Sequence, residues 1–289
     1  MPQNALTLTL VIPAYNEERH LKACLDGVAR QTVMPDQVIV VDNNSRDKTA
    51  EIAKSYRFVT LLEEKHQGRG HARTRGFNAA TSDILGRIDA DSVIDPDWVE
   101  RVLADFGLHD VDGVTGLGVT NLLPHIIFIQ STFWSRVYFW MIHAYFGANT
   151  MWGANCAIRR SAWLRVRDEV CLDDRQVHED QDVSLLIAGT GGEIKQDNKL
   201  LIRTHGQSYL FLPKLLYYGV LRARTRKRHK ALGTLARPEA RLLSFWSTLP
   251  GRVYAAVAGI FFLVISVVLW PFDAMLLAYR RELGKPWLD

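Results

Sequence analysis

The sequence predicts an α/β fold, a mostly parallel sheet flanked by helices, on three observations. Strand-like and helix-like runs alternate in a βαβαβαβ rhythm up to Asp89, the order that pairs parallel strands through crossover helices. The strand-like runs are mostly apolar, as strands covered on both faces are. Three of them stop in polar turns rich in Asp and Asn, at the sheet edge where open α/β folds bind ligands.

In chain order, Leu6 to Ile12 reads as the first strand and ends at Pro13-Ala14-Tyr15-Asn16-Glu17-Glu18. Asn16 is placed to cap a helix over Glu17 to Arg30, whose Leu21, Leu25 and Val28 share one face. Gln37 to Val41 is a second strand, ending in Asp42-Asn43-Asn44-Ser45-Arg46-Asp47 before a helix over Lys48 to Tyr56. Phe58 to Leu62 is a third, and the loop Gly68-Arg69-Gly70-His71 precedes a helix over Ala72 to Ala80. Ile84-Leu85-Gly86-Arg87-Ile88 is the fourth, stopping at Asp89-Ala90-Asp91-Ser92. Asp95-Pro96-Asp97-Trp98 opens a helix to Phe106, Pro being well placed early in a helix. Gly113 to Val119 is a strand. Ile126 to Phe146 is rich in aromatics but broken by Ser131, Ser135, Arg136 and His143, which predicts an amphipathic helix lining a groove or lying at an interface. Trp152 to Ile158 is a loop entering a strand, and Asp182 to Ala188 is a helix behind His178-Glu179-Asp180-Gln181. Lys199 to Thr204 is the last strand, leading to His205, and Leu210 to Leu221 is an apolar, aromatic helix.

Composition narrows the class. Three cysteines, Cys24, Cys156 and Cys171, form no metal-ligand cluster and suit a reducing compartment. No signal peptide is read at Met1 to Thr9. The net charge of +4 hides an asymmetry, with eleven Lys/Arg against one acid, Glu239, between Arg203 and Arg252. Such a block binds nucleic acid or an anionic membrane, and the adjoining segment favours the membrane. Val253 to Trp270 is an eighteen-residue uncharged run with Tyr254 and Trp270 at its ends, near the length that crosses a bilayer and edged as interfacial segments are.

Asp89 and Asp91 are two apart, so they leave the strand on one side. Two carboxylates there, with phosphates from a substrate, suit a hard divalent cation, Mg²⁺ or Mn²⁺; a plain Asp/Ser turn is the alternative. The motifs that run with this pair are Val11-Ile12-Pro13-Ala14-Tyr15-Asn16-Glu17-Glu18, Val40-Val41-Asp42-Asn43-Asn44-Ser45-Arg46-Asp47, Gly68-Arg69-Gly70-His71-Ala72-Arg73-Thr74-Arg75-Gly76, Gly153-Ala154-Asn155 and Glu179-Asp180. In that order they resemble the family 2 glycosyltransferases, inverting sugar transferases of GT-A fold, over about Leu6 to His229. Thr74 stands where the family usually has Asn.

The resemblance implies roles. Asp42 contacts the nucleotide base. Pro13, Tyr15 and Glu17 lie on the nucleotide side, with Tyr15 or Pro13 as a wall of the base slot. Arg73 pairs with Asp42 or reaches a phosphate. Asp91 binds the metal, Asp89 serves the ribose or the metal, and His205 is a further metal ligand. Trp152, Gly153, Ala154, Asn155 and Glu179 lie on the acceptor side, where Trp152 could stack on a sugar face. Asp180 is the general base, although Glu179 and Asp182 compete for that role on sequence alone; His178 reads as loop or core packing.

The implied organisation is a GT-A catalytic domain over 1–209, with a nucleotide-binding half about 1–120 and an acceptor-binding half about 121–209. A basic, amphipathic membrane-proximal region follows at 210–252, then a spanning or re-entrant segment at 253–279 and a basic tail at 280–289. The implied activity is metal-assisted single displacement from a UDP-, GDP- or dTDP-linked sugar to a hydroxyl or lipid-phosphate acceptor. It would serve cell-envelope glycan or glycolipid synthesis at the cytoplasmic face of the plasma membrane, without a nucleic-acid partner. The Arg222 to His229 run lacks the Gln-x-x-Arg-Trp motif of processive members, so a single transfer is expected, with those bases on a lipid phosphate or an anionic leaflet. The alternatives are a nucleotidyltransferase acting on a sugar phosphate and a non-catalytic membrane scaffold.

Overall fold

One eight-stranded sheet organises the residues that the structure, a computed structural model, describes: 6–120, 136, 138–204 and 212–235. Its strands are β1 (Leu8–Ala14), β2 (Gln37–Asp42), β3 (Val59–Glu63), β4 (Ile84–Ile88), β5 (Ser92–Ile94), β6 (Gly113–Thr120), β7 (Asn155–Arg159) and β8 (Ile194–Thr204). The helices are α1 (Leu21–Ala29), α2 (Thr49–Lys54), α3 (Arg69–Ala79), α4 (Trp98–Leu108), α5 (138–146), α6 (Arg160–Val166), α7 (Glu179–Gly189) and α8 (Leu212–Leu232).

The spatial order is β3-β2-β1-β4-β7-β6-β8-β5. The four strands of the first half pair in parallel, as expected. The second half does so only between β6 and β8: β7 runs antiparallel to both β4 and β6, and β5 antiparallel to β8. The sheet is therefore mixed. Hydrophobic periodicity identifies a strand but is blind to its direction. The reversal has a consequence for the site, because Asn155 at the start of β7 lies opposite Ile88 at the end of β4. The loop that enters β7 is thereby delivered to the edge where Asp89 and Asp91 leave the sheet.

Alternation along the strands builds two core layers. Leu10 and Ile12 of β1 face one side with Leu25, Val40, Trp98 and Val102, while Val11 faces the other with Ile39, Val41, Phe77, Trp163 and Ile187. Both faces of β1 are buried, which is why its sequence is apolar without alternation.

Several boundaries differ from the sequence reading. Asn16 does not cap α1; it takes a left-handed backbone (φ 55°) and accepts the Arg46 N–H at 2.8 Å, so the helix begins only at Leu21. β5 and α6 went unread because three and seven residues leave too little periodicity. Helix α7 begins at Glu179 instead of Asp182, which puts Glu179 and Asp180 on its first turn.

Helix α8 continues well past Leu221 through the basic run. Leu221, Thr225 and His229 are buried at helical spacing. The arginines between them engage the protein. Arg222 donates to the Tyr138 hydroxyl (3.3 Å) and lies over its ring, and Arg224 donates to the Arg175 carbonyl (2.6 Å). Arg226 donates to the Tyr145 carbonyl (3.1 Å), and Arg228 to Asp182 (3.0 Å). Four arginines expected to face lipid instead clamp α8 to the domain. Among the described residues no helix is long and apolar enough to cross a membrane; the 253–279 segment, the 236–252 stretch and the 280–289 tail lie outside them.

The β6–β8 ladder slips register between Thr115 and Leu117, and Gly116 stands at the slip. A Cβ there would lie 2.0 Å from the Leu200 carbonyl oxygen and 2.3 Å from Asn155 Nδ2, so only glycine fits. Gly116→Ala is expected to destabilise the fold by about 1–3 kcal/mol, read as a lowered urea midpoint; an unchanged midpoint would show that the bulge can relax.

Candidate active site

Two loops build one side of the site. The turn after β1 and the turn after β2 are laced together by hydrogen bonds from Asn16 N–H to Ser45 Oγ (3.0 Å), Glu17 N–H to Thr49 Oγ1 (2.7 Å) and Glu18 N–H to Asp47 (3.0 Å). Asn44 joins Asn16 in the left-handed region (φ 64°), which Asn tolerates better than most residues. Asp42 is buried at the end of β2 and accepts the Ser45 N–H at 3.2 Å. Next to it, Asn43 donates to the Glu64 and His66 carbonyls (2.9 and 2.7 Å) and accepts the Gly68 N–H (2.8 Å), tying β2 to the loop before α3. Pro13 is half-buried and Tyr15 exposed, and Glu17 pairs with His20 at 2.9 Å. Helix α3 starts at Gly68, which has no capping side chain. Its first N–H groups are met by Asp174, which accepts from Arg69 (2.6 Å) and Gly70 (3.0 Å).

At the centre lies a buried ion cluster. Glu179, 3% exposed, sits between Arg73 of α3 and Arg87 of β4. Its Oε1 accepts from Arg87 at 2.6 Å, its Oε2 accepts from Arg73, and its carbonyl accepts from Arg73 at 2.9 Å. Burial pushes the Glu179 carboxyl up, but Arg87 and Arg73 outweigh it and hold the group below the usual range. Arg87 also reaches Asp89 at 3.3 Å, whose side chain is 42% exposed at the open end of the cluster. Arg73 thus pairs with Glu179 and not with Asp42. Glu179 is a buried counter-ion whose carboxylate is occupied by two guanidinium groups, in place of the acceptor contact expected of it.

Asp91 stands among like charges. Burial, and then Asp89 and Glu17, push its carboxyl up to about 6. Carboxylate oxygens gathered at a sheet edge are the donor set that a hard divalent cation fits. His205 lies outside the described residues.

Asp180, 8% exposed, begins α7. Its Oδ2 accepts the Gly153 N–H (2.8 Å), and its Oδ1 accepts the Gln181 N–H (2.7 Å) and contacts His178 Nδ1. Burial pushes it up, but His178 and the Gly153 N–H outweigh that and hold it well below the usual carboxylate range. The helix N-terminus favours the same anion. His178 therefore contacts the acid instead of merely packing, and α8 supports it: the His178 N–H donates to Thr225 Oγ1 (2.8 Å), and its ring lies 5.2 Å from Tyr218. Asp182, the competing acid, is fully buried and held by His229 (3.0 Å), Arg228 and the Cys171 N–H (2.9 Å).

The loop into β7 meets this cluster. A Cβ on Gly153 would lie 2.7 Å from Arg87 Nη1, so glycine is needed for the guanidinium to pass. Trp152 is half-buried and its ring lies over Gly118, where a Cβ would come within 2.2 Å. Ala154 is buried. Asn155 is fully buried; it donates to the Leu117 and Leu200 carbonyls (3.1 and 2.9 Å) and accepts the Trp98 indole N–H (2.8 Å). It fixes the loop from inside the core and presents no donor to a ligand.

The structure thus gathers Asp89, Arg73, Glu179, Asp180 and Gly153 around Arg87, a residue to which the sequence reading gave no role. Its signal was available: an Arg inside an otherwise apolar buried strand requires a buried partner.

The family model described as Glycosyl transferase family 2 matches residues 9–162, more than half of the chain. The putative glycosyltransferase EpsH of Bacillus subtilis is 31% identical over 105 residues, which cover 35% of this chain and 30% of that protein. Glycosyltransferase AglE of Haloferax volcanii is 34% identical over 116 residues, covering 38% of each. The matched stretch therefore spans only about a third of these curated relatives. Among solved structures, mannosyltransferase PcManGT from Pyrobaculum calidifontis, in complex with GDP-Man and Mn²⁺, aligns with a TM-score of 0.58 at 19% identity, over 94% of this chain and 89% of that one. S. aureus TarS 1–349 in complex with UDP-GlcNAc aligns with a TM-score of 0.54 at 16% identity, over 70% of this chain and 59% of that one. At such identities the structural likeness shows the fold alone, a GT-A-like one. The family rests on the sequence match: the chain belongs to glycosyl transferase family 2.

Proposed function

We propose that this protein transfers a sugar from a nucleoside-diphosphate sugar to an acceptor hydroxyl, inverting the anomeric centre in one displacement. The carrying observation is the convergence on Arg87 of the acidic end of β4, the loop into β7 and the first turn of α7. That convergence supports a phosphate-side charge set and a proton acceptor at one edge of the sheet. The GDP-Man and UDP-GlcNAc complexes among the structural neighbours support a nucleotide-sugar donor.

In this reading Asp42 accepts from base N–H groups, beside Pro13 and Tyr15. Asp91, with Asp89, holds a divalent cation, which when bound offsets charge developing on the leaving diphosphate. The acceptor oxygen attacks the anomeric carbon as the bond from that carbon to the phosphate oxygen breaks, and the bonding electrons leave with the nucleoside diphosphate. The acceptor proton passes to Asp180, whose Oδ2 accepts one hydrogen bond among the described residues and so retains a lone pair. His178 and the Gly153 N–H fix the direction of that lone pair. Trp152 offers an apolar face for a sugar ring. A membrane-delivered acceptor is the favoured source of the hydroxyl, on the strength of the apolar 253–279 sequence.

Three outcomes test this reading. Asp180→Asn is expected to lower kcat about 100-fold or more while leaving nucleoside diphosphate binding by calorimetry intact; near wild-type transfer by the purified variant would remove Asp180 as the base.

Glu179→Gln separates counter-ion from acceptor contact. Left without their carboxylate, the two guanidiniums should destabilise the fold by about 3–5 kcal/mol in urea unfolding. Unchanged stability with a raised KM for acceptor would restore the acceptor role.

Asp91 carries a pH signature. Its folded-state carboxyl is raised, so its ionisation opposes folding, and the cost grows between about pH 4 and pH 6 and persists above. Metal-free Asp91→Asn should therefore melt higher than wild type at pH 7.5 and converge with it near pH 4. Mn²⁺ should raise the wild-type Tm and leave the variant's unchanged. A variant that melts lower than wild type at pH 7.5 would contradict this.

A further inference from the structure

We propose that Glu64, His66 and His71 form a site for a borderline divalent cation of the zinc type, separate from the acidic end of β4. Each offers one ligand atom, and these atoms lie within 4.8 Å of one another. His66 Nδ1 already stands 3.0 Å from Glu64 Oε1. The two imidazole rings stack with centroids 5.4 Å apart and planes inclined by only 25°.

Their backbones are held in place. The Glu64 N–H donates to the Asp42 carbonyl (2.9 Å), and Asn43 grips the Glu64 and His66 carbonyls. His71 lies on the first turn of α3, whose positive end Asp174 caps; that carboxylate offsets the helix dipole beside the cation. The Glu64 side chain is 16% exposed and His66 is 79% exposed, so the cluster opens to solvent through His66.

Ligands around a tetrahedral zinc lie about 3.3 Å apart, given bonds of about 2.0–2.1 Å to nitrogen and oxygen. From the 4.8 Å limit this is a contraction of up to about 1.5 Å, and the exposed His66 has room to turn. Two imidazoles and one carboxylate select zinc, cobalt or nickel over magnesium, which prefers an all-oxygen octahedron. Three protein ligands leave a fourth position for water or an exogenous group. Occupancy would lock the loop between β3 and α3, which Asn43 ties to Asp42.

The site is tested by equilibrium dialysis of the full chain against ZnCl₂ alone, with Co²⁺ as a visible-absorption probe. Wild type is expected to bind one equivalent with a low-micromolar or tighter dissociation constant, unaffected by millimolar Mg²⁺. His66→Ala with His71→Ala should weaken binding at least tenfold, with the fold checked by Tm. Should the double variant fail to fold, His66→Ala alone, at an exposed position, carries the test. Asp91→Asn should bind zinc as wild type does, whatever becomes of the transferase reading. No saturable zinc binding, equal binding by the folded histidine variant, or loss of zinc in Asp91→Asn would each overturn the proposal.

Discussion

Glu179 is the carboxylate on which the geometry of the cleft depends. Two guanidiniums at 2% and 3% exposure share it, and neither can leave, because each would abandon an uncompensated charge in the core. Arg73 comes from α3, Arg87 from β4 and Glu179 from α7, so one carboxylate fixes the position of three elements. Arg87 adds a fourth: its guanidinium lies where a side chain at residue 153 would project, and only glycine lets the loop into β7 close over it. Two cations and one anion leave an excess of positive charge. Asp89 at the open end meets it through Arg87.

That balance bears on the chemistry proposed. Asp180 is held well below the usual carboxylate range by His178, the Gly153 N–H and Arg87 against the cost of burial. It stays ionised at any physiological pH. A base so weak takes up little proton from a resting hydroxyl, so proton transfer has to follow the growth of positive charge on the attacking oxygen. The electrostatic demand then falls on the leaving group. The raised Asp91 contrasts with Asp180: at Asp180 the neighbouring His178 and hydrogen bonds outweigh burial, and at Asp91 burial and neighbouring carboxylates prevail.

How much of the molecule is legible in its sequence depends on the range of each interaction. β1, β2 and β4 were readable because both faces of each are buried, which favours runs that are mostly apolar. Asp42 and Asp89 were readable as acids at strand ends, and Asp180 only through the family resemblance. Their partners were not. Arg73 and Glu179 are 106 residues apart, and Arg69 and Asp174 are 105 apart. No local pattern records such pairs. Asn155 illustrates the opposite error: an exposed-looking Asn in a loop motif is fully buried with its three partners on β6, β8 and α4, because the strand it opens crosses the middle of the sheet.

The basic run in α8 shows how charge composition misleads when burial is unknown. Eleven cations in fifty residues suggest a membrane face. The seam of α8 is nevertheless set by polar complementarity. Thr225 meets the His178 N–H, and His229 lies between Asp182 and Thr234 (3.0 and 2.6 Å). Buried polar contacts of this kind are costly unless all are made together. The first turn of α7 and the middle of α8 therefore gain stability only as a unit, and that turn carries Asp180. A helix whose composition points to lipid is thus coupled, through His178, to the acid at the centre of the site.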